Sequence, residues 1–114
     1  MRSIEYYLEK GFDRRTAAYF AAGRRTIVSV SPGTDFTVLL RFDNGENRVL
    51  DMKPSIQPGT VFAFLADPAN FGRVYLDKTK CVSWDIDPNV DSEKVWSNKV
   101  DLCPDTCYMD SVPV

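Results

Sequence analysis

Apolar and polar residues alternate most regularly in the stretch FTVLLRFDNGENRVLDM, where Phe36, Val38, Leu40 and Phe42 recur at every second position. That period marks a strand with one buried face, and Asp43-Asn44-Gly45 supplies the residues that tolerate the left-handed backbone of a hairpin turn. A two-residue loop at Asn44-Gly45 sets Arg41 opposite Arg48 and Asp43 opposite Glu46, and it carries Asp51 onto the face of Val38. Such like-charge pairs are unfavourable. A three-residue loop with Gly45 left-handed instead pairs Phe36 with Met52, Val38 with Leu50 and Leu39 with Val49. The sequence predicts this second register, because a slip of one residue turns the apolar set toward water.

Upstream, Ser3 to Lys10 predicts a short helix with Ile4, Tyr7 and Leu8 on one face and Gly11 as its stop. A second helix starts at the N-cap Asp13, carries Ala17, Phe20 and Ala21 as its apolar stripe, and ends at Gly23. Thr26 to Val30 predicts a strand closed by a turn at Ser31-Pro32-Gly33. Beyond the hairpin, prolines and glycine punctuate a loop. Val61–Leu65 and Ala69–Phe71 predict short helical turns that cover the sheet with Val61, Phe62, Leu65 and Phe71. Two strands, Arg73–Leu76 and Cys81–Ile86, flank a turn at residues 77–80, and Trp84 is expected to seal one edge of the core. In the tail, Asp91 is expected to cap one helical turn that aims Val95 or Trp96 inward, and Cys103 to cap another that begins at Pro104.

These elements predict an α+β fold: an N-terminal helical hairpin, then a mostly antiparallel sheet of about five strands under short helical turns. Residues 1–24 form a helical arm and 25–114 a sheet core with an acidic C-terminal tail, in a single domain spanning 1–114. A chain of 114 residues, 44% hydrophobic and 26% charged, fits a globular protein. Its longest apolar run, Val61 to Ala66, falls far short of the roughly 20 residues that span a bilayer. The first residues, MRSIEYYLEKG, contain Glu5 and Glu9 and lack an apolar core, so no membrane and a cytoplasmic location are expected.

The net charge of -2 hides an asymmetry. Most of the acidic excess lies beyond Trp84, where Asp85, Asp87, Asp91, Glu93, Asp101, Asp105 and Asp110 face only Lys94 and Lys99. A solvated face and a docking surface for a basic partner are both consistent with it. Arg14, Arg15, Arg24 and Arg25 flank the second helix. They suit a solvated surface, carboxylates of the same chain or, less naturally in an acidic chain, a nucleic acid.

The chain has 0 histidines, which removes the usual general base and the commonest zinc ligand. Its glycines sit singly at turns, so no phosphate-cradling loop is present. The cysteines are the one pattern with chemical content. Cys103 and Cys107 are spaced so that a helical turn sets both sulfurs on one side, and Cys81 begins a strand leading toward the same tail. Three readings stay open: buried structural thiols, a redox or nucleophilic pair, or a zinc site in which Cys81, Cys103 and Cys107 are joined by Asp105, Asp101 or a water.

The succession FDNGENRVLDMKP, PGTVFAFLADPANFGRVYLD, CVSWDID and VDLCPDTCY resembles the small bacterial family named domain of unknown function 2442. Members carry F-x-[DN]-G-E at a strand end and a terminal D-L-x-P-D-x-x-Y, whose residues map onto Asp101, Leu102, Pro104, Asp105 and Tyr108. The likeness covers Thr26 to Tyr108; the helical arm before Arg24 and the long segment between Trp84 and Asp101 depart from the simplest members. It implies a small α+β domain on an antiparallel sheet, with no established activity or cofactor. Members tend to be encoded beside other small proteins in arrangements like toxin and antitoxin pairs, which implies a regulatory or binding role.

The expected function is accordingly a non-catalytic interaction module, such as an antitoxin-like regulator or inhibitor, that binds a protein partner. It would act as a monomer or homodimer. Its docking surface would be the helical arm, an open sheet edge, or the acidic tail with Asp85, Asp87, Asp91 and Glu93. The alternative is a nucleic-acid-associated regulator using the arginines of the arm.

Overall fold

A computed structural model describes residues 2–114. The chain is α+β, and among the described residues the strands number seven in two antiparallel sheets where the sequence predicts about five in one. Helices α1 (Ile4–Glu9) and α2 (Arg14–Ala22) come first, followed by strands β1 (Ile27–Pro32), β2 (Thr37–Phe42) and β3 (Asn47–Asp51). A 3-10 turn at Ala63–Ala66 and the short helix α3 (Pro68–Phe71) lead to β4 (Tyr75–Leu76) and β5 (Val82–Asp85). Strand β6 (Lys99–Leu102), helix α4 (Pro104–Asp110) and strand β7 (Val112–Pro113) complete the chain. The sheets run β1-β2-β3-β7 and β4-β5-β6. No helix among the described residues is long and apolar enough to cross a membrane.

The central hairpin takes the predicted register. Val38 pairs with Leu50 and Leu39 with Val49, the Met52 amide donates to Phe36, and Gly45 closes the three-residue loop at φ 87°. Val38, Leu40 and Phe42 are buried on one face, as their period requires. Phe36 departs from that strand geometry: Asp35 and Phe36 both have positive φ, so the strand opens at Thr37. The turn before β2 therefore lies at residues 33–36, one step later than predicted, and β1 runs on through Pro32. Gly33 is required there, because a Cβ would meet Thr37 Oγ1 at 2.4 Å.

Both sheets contribute to one core. Ile27, Val38, Leu40, Phe42, Leu50 and Met52 from the larger sheet meet Val82 and Trp84 from the smaller, with Leu65, Phe71 and Cys107 filling in. Trp84 is fully buried at the centre of this cluster rather than at its rim, and its indole Nε1 donates to the Phe71 carbonyl at 3.0 Å. Val61, predicted to cover the sheet, is exposed; Phe62, Leu65 and Phe71 do that work. Arg73 and Val74 precede the strand predicted to include them, and Cys81 and Ile86 flank β5 rather than belonging to it. Strands β6 and β7 were not foreseen, since neither alternates cleanly over the usual strand length.

The arm forms at the predicted caps: Ser3 Oγ accepts from the Tyr6 amide, and Asp13 Oδ1 from Thr16 at 2.7 Å. Ala17 is buried as predicted, but Tyr19 joins it in place of Ala21, and Phe20 stacks with Tyr7 and Phe12 against α1. Tyr19 ties the arm to α4. Its hydroxyl donates to Asp105 Oδ1 at 2.6 Å and accepts from the Arg25 amide at 2.9 Å, and its ring stacks on Tyr108. Burial, then the Asp105 contact, push its pKa up to about 12.

In the smaller sheet, Asp77 organises the β4–β5 turn. Its carboxylate accepts from the Thr79 and Cys81 amides, from the Thr79 and Ser83 hydroxyls, and from Lys99 Nζ at 2.8 Å. The side chain is only 3% exposed. Burial opposes the charge, but the bonds from Lys99, the Cys81 amide, Thr79 and Ser83 outweigh it and hold the carboxyl well below the usual range. Because the folded-state pKa is depressed, this stabilisation is complete above the ordinary carboxylate pKa of about 4 and is lost as pH falls through the folded value. Asp77→Asn is expected to cost about 2–3 kcal/mol in urea unfolding at neutral pH, with the deficit shrinking below about pH 3. An equal deficit at both pH values would mean that the charge is not its source.

Candidate functional site

The predicted docking residues of the tail converge on one loop, 86–98, between β5 and β6. Its conformation is set by Asn98, a buried residue that sequence patterning did not single out. Asn98 Oδ1 accepts from the Asp87 amide at 2.9 Å, and Nδ2 donates to the Asp87 carbonyl at 3.0 Å, the Val90 carbonyl at 3.2 Å and Ser92 Oγ at 3.0 Å. The backbone adds Ile86 N–H to the Asn98 carbonyl at 2.7 Å. Asp91 caps a single turn as predicted, accepting from the Glu93 amide at 2.9 Å, while its carbonyl accepts from Lys94 and Val95.

That turn aims its apolar residues outward, contrary to the prediction. Trp96 is 82% exposed, and Val95 and Ile86 are also exposed. The inward position is taken by Asn98, because a closed loop must first satisfy its own carbonyls and amides, which an indole cannot do.

The acidic residues lie within this loop and at the end of the strand before it. Asp85 accepts from the Tyr75 hydroxyl at 2.7 Å and from Ser92 Oγ at 2.6 Å; burial, followed by the Asp85 contact, raises the Tyr75 pKa. Asp87 and Asp91 hold local backbone amides and, among the described residues, meet no cation within ion-pair distance, whereas Glu93 pairs with Lys78 at 2.7 Å. Tyr75, Asp85, Asp91, Ser92, Glu93 and Lys99 line an open groove of about 520 Å³. Lys99 is turned to Asp77, so Lys94 is the one basic side chain within the loop.

The arm's arginines mostly face carboxylates of the same chain. Arg15 donates to Asp110 at 3.1 Å and to the Met109 carbonyl, Arg24 Nε to Asp105 at 3.2 Å, and Arg25 lies 3.7 Å from Asp43. Arg14 is exposed, with no ion pair among the described residues. Asp105 is therefore held by Arg24 and Tyr19: burial opposes its ionisation, and these two contacts prevail and lower its pKa.

The thiols are not gathered for zinc in this structure. Cys107 is fully buried in the core, Cys103 is exposed beside Thr106 Oγ1 at 3.3 Å, and Cys81 lies 3.5 Å from Thr79 Oγ1. A turn of α4 does carry both Cys103 and Cys107, but the N-cap residue faces solvent while the helix interior faces Trp84 and its neighbours. Among the described residues, the cluster with metal-ligating spacing is Asp77, Cys81 and Asp101, and Asp77 in it is already saturated by hydrogen bonds.

The residues of the terminal motif serve the fold. Leu102 packs on the core and Pro104 starts α4. The Tyr108 hydroxyl donates to Glu46, and its ring meets Phe42 edge-on and lies 4.3 Å from the Arg48 guanidinium. Arg48 Nε and Nη2 each reach Ser111 at 2.7 Å. The hairpin turn and the C-terminal helix are thereby joined.

Asn98→Ala is expected to cost about 1–2 kcal/mol, because it removes the hydrogen bonds that Asn98 makes to the part-buried backbone of Asp87 and Val90; chemical unfolding measures this. Burial pushes the Cys107 thiol up to about 12, so iodoacetamide is expected to label Cys103 in the native protein and Cys107 only in denaturant, as read by peptide mass mapping. No family model, curated protein or solved structure matches this chain.

Proposed function

We propose that this chain is a non-catalytic protein-interaction module, of the regulator or inhibitor type that its likeness to domain of unknown function 2442 implies. Its docking surface is the 86–98 loop. The observation that carries this reading is Trp96, an indole 82% exposed on a loop whose backbone is pinned by Asn98. A braced loop loses little conformational freedom on binding, and tryptophan is the residue most enriched among binding hot spots. Asp87, Asp91 and Glu93 lie in the same loop and Asp85 ends the strand before it, so the partner surface it fits is basic with an apolar socket. The nucleic-acid alternative has less support, because Arg15, Arg24 and Arg25 are engaged by Asp110, Asp105 and Asp43. An enzymatic role has no histidine and no cluster of activated nucleophiles to rest on.

The test is affinity capture from the host followed by direct titration of the purified pair. Wild type is expected to retain a partner in a salt-sensitive manner. Trp96→Ala is expected to leave stability within about 0.5 kcal/mol and to weaken the complex at least about thirtyfold. A partner held equally well by wild type, Trp96→Ala and the double variant Asp87→Lys/Asp91→Lys would overturn the assignment of this surface.

A further inference from the structure

The four-stranded sheet has a second face, turned away from the core. Its strand register arranges the outward side chains in rows across the sheet. One row runs Ser31, Leu39, Val49, Val112, and the next Ser29, Arg41, Asn47, Val114; on the other side, Thr37 pairs with Asp51. Leu39 is 42% and Val112 62% exposed. The rows are graded in size, with serines on β1 and valines on β7. A depression of about 430 Å³ crosses this face from Ser29 and Ser31 on β1, past Leu39, Arg41 and Asn47, to Val114 beyond β7.

Both edges of this sheet are blocked by proline. The Gly33 amide donates to Thr37 and the Val114 amide to Asn47, so by alternation Pro32 and Pro113 occupy positions whose backbone nitrogen points to the free edge. Neither has an N–H to offer an added strand, and the irregularity between Ile27 and Ser29 further disrupts the β1 edge. Association through this sheet is left to its face.

We propose that a second copy of this chain covers that face, forming a dimer about a two-fold axis that runs along the strands between β2 and β3. This operation exchanges β1 with β7 and β2 with β3 while keeping every row in place. Val112 of each copy then enters the hollow over Ser31 of the other, Leu39 meets Val49, Arg41 meets the Asn47 amide group, and Thr37 meets Asp51. Large side chains fall on small ones, each charge falls on a neutral hydrogen-bonding group, and no like charges meet. An axis along the strands also keeps the two sheets within the roughly 30° alignment that face-to-face packing prefers. A face four strands wide and three rows deep covers on the order of 400 Å² per copy. That is about half of what a standard interface buries, so the dimer is weak and depends on concentration.

Sedimentation equilibrium from micromolar to millimolar protein, with amide chemical shifts followed over the same range, tests the proposal. A monomer–dimer equilibrium is expected, with concentration-dependent shifts centred on residues 39, 49 and 112. Ser31→Arg fills the hollow and Val112→Lys puts charge on its occupant. Each is at an exposed position, each is checked for folding by its melting transition, and each is expected to weaken the dimer at least about tenfold. Trp96→Ala is expected to leave the dimer intact, which separates this interface from the partner-binding loop. A monomer throughout the range, or a dimer that survives both substitutions, would overturn the inference.

Discussion

The three-residue turn at Asp43-Asn44-Gly45 fixes the register on which the rest of the molecule depends. With Val38 opposite Leu50, one face of the hairpin becomes core and the other becomes surface. The same register sets Leu40 opposite Arg48 on the inner side and leaves Glu46 at the turn, where Tyr108 and Ser111 are met by these two side chains. A slip by one residue would set Val49 or Asp51 on the buried face beside Val38 and turn Leu50 to water. It would also move Arg48 away from the C-terminal helix.

Charge is used in two ways. Where it is buried, it is matched: Asp77 holds Lys99 and four backbone or hydroxyl donors around a turn, and Arg48 sits between Glu46, Ser111 and the Tyr108 ring. Such groups resist separation, because losing one partner leaves the other uncompensated in a poorly solvated place. At the surface, Asp87 and Asp91 are committed only to backbone amides of their own loop. Their charge stays in solvent, on the loop whose internal hydrogen bonding leaves the Trp96 indole exposed.

The arm illustrates how local and long-range forces divide the work. Its helices are specified by Ser3, Asp13 and the glycines at their ends, all of which act within a few residues. Its attachment depends on Tyr19, Arg24 and Asp105, which are far apart in the chain and meet only when α4 is placed. Arginines that suggest a nucleic-acid surface when counted along the sequence are, in space, largely partners for the chain's own acidic residues.

Elements whose signals are local were legible from residues alone: both arm helices and their caps, the hairpin and its register, the turn at residues 77–80, and α4 beginning at Pro104. Strands β6 and β7 were not, because they are short, and a short strand exists only by virtue of the neighbour that pairs with it. The direction of Trp96 also escaped the sequence. A tryptophan is ordinarily buried, and only the closed loop shows that Asn98 must take the inner place to satisfy the carbonyls of Asp87 and Val90. The grouping of the cysteines was likewise decided in three dimensions, where packing on Trp84 claims Cys107 while the N-cap position leaves Cys103 in solvent. Sequence determined the period, the turns and the caps, since these follow from backbone sterics and spacing. Tertiary structure decided which polar groups had to be satisfied inside, and so which side chains were left in solvent.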